Sequence, residues 1–130
     1  MTLETDLRAV LLASTSVTAL STQVYATMLP QGVSLPAVSY LRVSTVRESC
    51  MGHDATNVMA RFQFDCWAGN PTTARLLVGA IRSTLQRYKS STGTVTIETI
   101  FVADQQEIPE RDIDEDTFRD SLDFMVHYKE

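Results

Sequence analysis

The chain has few of the residues that hold metals or form covalent cross-links. It contains two cysteines, Cys50 and Cys66, and two histidines in 130 residues. Two cysteines are too few for a disulfide scaffold, and a structural zinc site needs four converging ligands. Cys66 alternates in phase with Phe62 and Phe64, which predicts a buried thiol, whereas His127 is predicted to point outward and Cys50 to lie in an exposed turn. We therefore predict that the protein binds no metal and no other cofactor.

Long apolar runs and an excess of positive charge are also missing. No apolar run reaches the roughly 18 residues of a membrane span. The 11 Lys and Arg residues are outnumbered by 16 Asp and Glu, which gives a formal net charge of −5. This balance argues against a protein that binds nucleic acid by neutralising phosphates, although DNA could pass such a surface without sticking. The first residues, MTLETD, are acidic where a signal peptide is basic, so we expect synthesis in the cytoplasm and no membrane association.

The apolar content of 44% in 130 residues is sufficient for one domain, residues 1–130, with its own core. Helical periodicity predicts helices over residues 2–13 and 70–89, the second begun by Asn70 and Pro71. A turn of helix at 17–20 and an extended piece at 24–25 are also predicted. Alternation predicts strands over residues 37–47, 56–67, 94–102 and 118–129. The order α-β-β-α-β-β predicts an α+β fold, with a mostly antiparallel four-stranded sheet and helices packed on one face.

Several apolar residues fall on the outer phase of these strands and are candidates for subunit contacts or for a second covering layer. They are Met59, Trp67, Ile100 and Val102. For Trp67, packing against residues 29–36 and a contact with another subunit are equally good interpretations. Arg61 and Asp65 share one strand face, and we expect each to form a structural salt bridge with a neighbouring element.

Residues 104–116 form an acidic segment with seven acids, one base (Arg111) and a proline. We predict that this segment is an exposed loop between the last two strands. Residues 48–55 are likewise predicted to form a turn. The seven acidic residues of the predicted loop are Asp104, Glu107, Glu110, Asp112, Asp114, Glu115 and Asp116.

No combination of residues indicates catalysis. Cys50 and His53 are close in sequence, but Glu48 and Asp54 beside them oppose the lowered thiol pKa that a nucleophile needs. There is no phosphate-binding glycine loop and no nucleophile elbow. The acidic segment is predicted to be solvated and not held in a cleft, as general acid/base work requires. These observations argue that the protein is not an enzyme.

Short stretches along nearly the whole chain resemble the tail-completion family of long-tailed bacteriophages and gene transfer agents. The central strand RFQFDCWA at residues 61–68 and the terminal SLDF at residues 121–124 carry the resemblance most strongly. Further similar stretches, in order, are LRAVLLA at 7–13, VTAL at 17–20, VY at 24–25, LPQG at 29–32, LPAV at 35–38 and ARLL at 74–77. Each is weak alone, whereas their order and spacing together are specific.

The resemblance implies a structural virion protein with no catalytic residues. It implies a ring, commonly a hexamer, at the head-proximal end of the tail tube, which stops tube polymerisation and joins the tail to the head connector. The implied partners are other copies of the chain, the tail tube protein and a head-closure or connector protein, with DNA passing through the bore without specific binding. The implied location is the tail–head junction of a virion. The alternatives are a small dimeric cytoplasmic binding module and a small enzyme that uses Cys50 or the acidic segment.

Overall fold

The computed structural model describes residues 3–21, 23–26, 36–50, 53–89, 96–111 and 116–129. Within these residues the chain forms three helices and one five-stranded sheet of order β1-β2-β3-β5-β4. The elements are α1 (Leu3–Ala13), α2 (Thr15–Thr18), β1 (Val24–Ala26), β2 (Ala37–Cys50), β3 (His53–Ala68), α3 (Pro71–Leu85), β4 (Thr96–Arg111) and β5 (Asp116–Lys129).

The predicted α+β class is confirmed, but the prediction of a four-stranded, mostly antiparallel sheet is wrong in its strand count. The sheet is mixed, because β1 pairs in parallel with β2 while the other neighbours are antiparallel. Val24 lies opposite Val38 and is buried, and the Val38 amide donates to the Gln23 carbonyl at 2.7 Å. The extended piece predicted at 24–25 is this strand, but its three residues give no sign of the strand with which they pair.

The strands extend further than their apolar patterns. The predicted turn at residues 48–55 is wrong, because β2 continues to Cys50 and β3 begins at His53, with these two residues paired. The predicted acidic loop is also wrong over much of its length. β4 runs through Asp104, Glu107 and Glu110 to Arg111, and β5 begins at Asp116. Antiparallel pairing satisfies the backbone whatever the side chains are, and charged side chains are common on edge strands. Asp112, Asp114 and Glu115 lie outside the described residues.

Helix α3 begins as predicted, because the Asn70 side chain accepts a hydrogen bond from the Thr73 amide at 2.8 Å and Pro71 occupies the first turn. It ends at Leu85 rather than near Lys89. Gln86 leaves the helical conformation, and Arg87 has a φ of 62°. The Arg87 amide donates to the Ile100 carbonyl at 2.6 Å, and the Gln86 side chain accepts from the Val102 amide at 3.0 Å. These bonds occupy backbone groups on the outer edge of β4.

Helices α1 and α3 cover one face of the sheet, and their apolar stripes form a single core with it. On β3 the predicted inward phase is confirmed, since Phe62, Phe64 and Cys66 are fully buried. Phe64 stacks with Tyr40 of β2 at 5.7 Å between ring centroids and meets Phe124 of β5 edge-on at 5.7 Å. The same core includes Leu7 and Leu11 of α1, Leu77 and Ile81 of α3, and Leu122 and Val126 of β5.

One charged residue, Arg42, is built into the border of this core and ties α1 to the sheet. Its guanidinium forms an ion pair with Glu4 of α1 at 2.9 Å and lies 5.3 Å from the centre of the Phe62 ring. It also donates to the Tyr128 hydroxyl at 3.1 Å. Because an arginine needs partners for its donors when it is partly buried, this arrangement fixes where the N-terminal helix lies.

We expect Phe62→Ala or Phe64→Ala to lower the free energy of unfolding by about 3–5 kcal/mol, the usual cost of removing a fully buried aromatic ring. Gln63→Ala is the matched control, since its side chain lies on the other face and should cost less than about 1 kcal/mol. Urea unfolding followed by circular dichroism measures both. A larger loss for Gln63→Ala would mean that the strand is one residue out of phase.

Burial raises the pKa of the Cys66 thiol well above its ordinary value, and the carboxylates of Asp120 and Asp65 raise it further. As the pH rises, the thiol of the unfolded chain ionises before the thiol of the folded chain. The contribution of Cys66 to the free energy of unfolding is therefore complete below about pH 8.5 and decreases as the pH rises towards the pKa of the folded thiol. In a Cys50→Ser background we expect Cys66 to resist a thiol reagent at alkaline pH until urea unfolds the protein. Rapid labelling of the native protein would contradict the buried position.

Candidate functional site: the open face of the sheet

The side of the sheet opposite α1 and α3 is called here the open face. Alternate residues of β3 point to it, and all five of them from Met59 to Trp67 are partly exposed: Met59, Arg61, Gln63, Asp65 and Trp67. Their register partners on β5 run from His127, opposite Met59, to Arg119, opposite Trp67. The face divides into a polar half near Trp67 and an apolar half near Met59.

The centre of the open face carries an arginine–aspartate pair between β3 and β5. Arg61 donates from Nε and Nη2 to Asp123 Oδ2 at 3.1 and 2.6 Å. The Asp123 side chain is 12% exposed and that of Arg61 is 39% exposed. Asp104 of β4 is the register partner of Asp123, so two carboxyl-bearing residues are adjacent across the strands. Arg61 therefore compensates a nearly buried carboxylate that has an acidic neighbour.

The polar half is organised around Asp65 and Trp67. Gln63 donates to both carboxylate oxygens of Asp65, at 3.1 and 3.2 Å, and Arg119 approaches Asp65 at 3.9 Å. The predictions of structural salt bridges for Arg61 and Asp65 are thus confirmed. The guanidinium of Arg119 lies 4.9 Å from the centre of the Trp67 ring, and Trp67 Nε1 donates to Ser39 Oγ at 3.1 Å. Trp67 packs against Arg119 and Ser39, whereas most of residues 29–36 lie outside the described residues.

The apolar half exposes large side chains to solvent. Val46 of β2 is 60% exposed, Leu41, opposite Gln63, is 45% exposed, and Val43, at the register shift between Arg42 and Ser44, is 50% exposed. Val46 lies opposite Met59, which lies opposite His127, so these three form a row across β2, β3 and β5. Phe101 of β4 is 40% exposed and stacks on His127 at 5.4 Å between ring centroids. Isolated exposed apolar residues are ordinary, but several on one sheet face indicate an interaction surface.

Two of the four residues predicted for this surface lie elsewhere. Ile100 is fully buried and Val102 packs against the core, so their predicted outward positions are wrong. The register shifts between Ile97 and Thr99, which turns Ile97 and Ile100 to the same, inward face. Such a bulge inserts one residue and reverses the alternation beyond it. Phe101 therefore takes the outward position, and the three-residue spacing of Ile97 and Ile100 is the sequence signal that could have shown it.

Part of the acidic segment lies on β4, an edge strand of the sheet. Asp104 is exposed, and its carboxylate accepts from the Gln105 amide at 2.9 Å and from the Gln106 side chain at 3.3 Å. Only the strand positions of Glu107, Glu110 and Asp116 are described, and not their side chains. Residues 104–111 of the acidic segment therefore lie in the edge strand β4, and Asp116 begins β5.

Among the described residues, no group of three or more His, Cys, Asp or Glu side chains could hold a metal ion. Cys66 and His127 lie on opposite faces of the sheet, as predicted from their phases. The backbones of Cys50 and His53 are paired at the end of the β2–β3 hairpin, and their side chains are outside the description. None of the described helices is long and apolar enough to cross a membrane.

We expect the loss of Arg61 to lower the free energy of unfolding more than the loss of the Asp123 carboxylate. Arg61→Gln leaves the Asp123 carboxylate nearly buried beside Asp104, and should lower the free energy of unfolding by about 1–3 kcal/mol. Asp123→Asn removes the carboxylate itself and should cost less, and the double variant should resemble Asp123→Asn alone. Urea melts of the four proteins form the double-mutant cycle that measures this coupling. Additive losses would show that the two side chains do not interact.

Comparison with known proteins gives one family and one fold. The family model described as Tail completion protein gp17 matches residues 5–129. A chain of a solved structure titled "Virion of native gene transfer agent (GTA) particle" has a TM-score of 0.79 with this chain at 17% sequence identity. The alignment covers 98% of this chain and 95% of that chain, and at this identity it shows a shared fold. A search of curated proteins gives no match.

The family match covers nearly the whole described chain, including every strand of the open face. The proteins of this family are structural components of virions and are not enzymes. The chain belongs to the tail completion protein family and is a structural protein of a virion tail.

Proposed function

We propose that this protein is a tail terminator, which forms a ring on the head-proximal end of the tail tube. The ring stops polymerisation of the tube and provides the surface to which the head connector attaches. The observation that carries the proposal is the match of residues 5–129 to a tail completion family. A shared fold with a chain of a gene transfer agent virion supports it.

The open face supports a role in assembly. Leu41, Val43 and Val46 are largely exposed, together with Phe101, and Met59 is in the same row as Val46. Covering them in an assembly would remove apolar surface from water, at roughly 25 cal/mol per Å² buried. We propose Met59 as a subunit or tube contact within this surface. Trp67 is proposed in the same role at the polar half, where Arg119 and Ser39 hold its ring in place.

The charge of the chain suits a ring through which DNA moves. Six copies at −5 each would carry a formal charge of about −30, which repels phosphates wherever it lines the bore. The acidic residues of β4 and β5, including Asp104 and Glu107, are the proposed source of this repulsion. Weak electrostatic repulsion lets DNA slide without being trapped, whereas a basic bore would retain it.

The proposed partners are five further copies of this chain, the tail tube protein and a head-closure or connector protein. These partners require two contacts of different chemistry on each chain, one with the neighbouring subunits of the ring and one with the proteins above and below it along the tail axis. A cyclic ring of identical chains requires two different surfaces on each chain, because each subunit meets the next head-to-tail.

Deletion of the gene tests the proposal. Particles made without this chain should show heads and tails that are not joined, and tails of irregular or excessive length, in negative-stain images. The physical reason is that an uncapped tube keeps its polymerising end. Supplying the wild-type chain from a plasmid is the control, and it should restore joined particles with tails of uniform length. Normal, joined and infectious particles from a clean deletion would refute the assignment.

A further inference from the structure

The two sides of the sheet differ in how well they are protected against pairing with a further strand. The outer edge of β4 bonds to the end of α3 through Gln86 and Arg87, and the strand then continues with acidic residues and Pro109. Charges and proline are common devices that keep an edge strand from pairing with another chain. On the other side, β1 pairs with β2 only as far as Tyr40, and no described strand lies along the outer edge of β2 beyond it.

The uncovered part of β2 lacks that protection. Residues 43–46 have the sequence VSTV, with neither a charge nor a proline, and all four are exposed. Ser44–Arg47 pair with β3 in a regular register between two register shifts. Valine and threonine favour strands, and an exposed strand edge is a template for the addition of another strand. This edge of β2 is therefore suited to pair with a further strand.

The apolar half of the open face ends at the same edge. Val46, Met59 and His127 are successive register partners across β2, β3 and β5, and Phe101 stacks on His127. Val46 is 60% exposed, more than any other large apolar side chain that the structure describes. The apolar row thus stops at its most exposed member, where a further strand would extend it.

We infer that β2 of one copy pairs antiparallel with β2 of a second copy before the chain enters a particle, across a two-fold axis at Val46. A two-fold axis perpendicular to the sheet pairs two identical edges antiparallel and leaves both open faces on the same side. Val46 then lies opposite its counterpart, and the apolar row continues into the second molecule. This contact is separate from the proposed ring and does not depend on it.

The length of the uncovered edge favours this register. The edge extends from Leu41, just past β1, to Cys50 at the end of β2, so Thr45 and Val46 are at its middle. An axis at Val46 aligns residues 42–50 of both copies, and the hairpin end of each copy then stops beside the end of β1 in the other. An axis at Thr45 would give a similar overlap but would place Val46 opposite a serine.

The charges along the edge are compatible with the same register. With the axis at Val46, Arg47 lies opposite Thr45 of the second copy and Glu48 lies opposite Ser44. No two like charges are directly opposite each other, which would destabilise an antiparallel pair. A second copy thus supplies a strand of the right length, with a valine opposite the exposed valine.

Disulfide formation on the axis tests the contact. In a Cys50→Ser background, Val46→Cys is oxidised in air and followed on a non-reducing gel. Directly opposite residues of an antiparallel pair have Cα atoms about 4.5–5.5 Å apart, within the range of a disulfide. Ser44→Cys is the matched control on the same strand face, since its two copies would be displaced by about 13 Å along the strands. We expect Val46→Cys to give at least about tenfold more covalent dimer than Ser44→Cys.

A pair of lysine variants measures the contact without a cross-link. Val46→Lys places two ammonium groups against each other on the axis, whereas Ser44→Lys places each of them opposite Glu48. We expect Val46→Lys to raise the dimer dissociation constant in sedimentation velocity at least about tenfold, and Ser44→Lys to leave the dimer intact. Both positions are exposed in the single chain, so thermal melts of both variants should match the wild-type protein.

Three outcomes would overturn the inference. A wild-type protein that stays monomeric at its highest soluble concentration would remove the contact. Equal disulfide yields from Val46→Cys and Ser44→Cys, or a higher yield from Thr45→Cys, would contradict the register. A monomeric chain whose binding to purified tail tubes is blocked by Val46→Lys would assign the edge to a strand of the tube protein.

The deletion experiment tests the proposed function separately. If particles require the chain but the chain is monomeric, this inference fails and the tail-terminator proposal stands. If the deletion is harmless while Val46→Cys forms the dimer, the tail-terminator proposal fails and this inference stands.

Discussion

The contact of Phe64 with Tyr40 and Phe124 holds three of the four long strands, β2, β3 and β5, in register. The centres of the two rings lie 5.7 Å from that of Phe64, one stacked and one edge-on, and all three rings belong to the buried core. Because side chains alternate between the faces of a sheet, this register also decides what the opposite side displays. Shifting β3 by one residue would bury Arg61 and Asp65 and expose the phenylalanines. What the open face displays is thus a consequence of the core.

The open face combines partly buried ion pairs with exposed apolar side chains. The Arg61–Asp123 and Asp65–Arg119 pairs are partly buried, and such pairs specify an arrangement more than they stabilise it. Beside them, Val46 and Phe101 are exposed at a cost that a partner would relieve. A rigid polar region next to an apolar one suits a surface that must meet its partner in one orientation. Such a surface is compatible with a structural protein of a virion tail.

Local patterns predicted the parts of the fold that depend on local physics. The alternation around Phe62 and Phe64 predicted the buried face of β3, and Asn70 with Pro71 predicted the start of α3. The parallel pairing of Val24 with Val38 could not be predicted, because it depends on a partner distant in sequence. The continuation of β4 through Asp104 was not predicted, because its charged residues show no alternating apolar pattern. Side-chain composition is a weak guide to backbone pairing in an edge strand.

The candidate site was predicted less completely than the fold, and one irregularity explains most of the difference. Met59 and Trp67 lie on the open face as expected, because β3 alternates without interruption from Val58 to Ala68. The bulge beyond Ile97 places Ile100 in the core and Phe101 outside. Two adjacent apolar residues fit either phase, so the pattern alone could not decide between them. The aromatic stack of Phe101 on His127 was missed for the same reason.

A density map of the junction between head and tail, from particles that carry this chain, tests the central claim most directly. The proposed function predicts a ring of copies of this chain on the head-proximal end of the tail tube. Finding the chain at the distal tail tip, along the tube or absent from the particle would contradict the account.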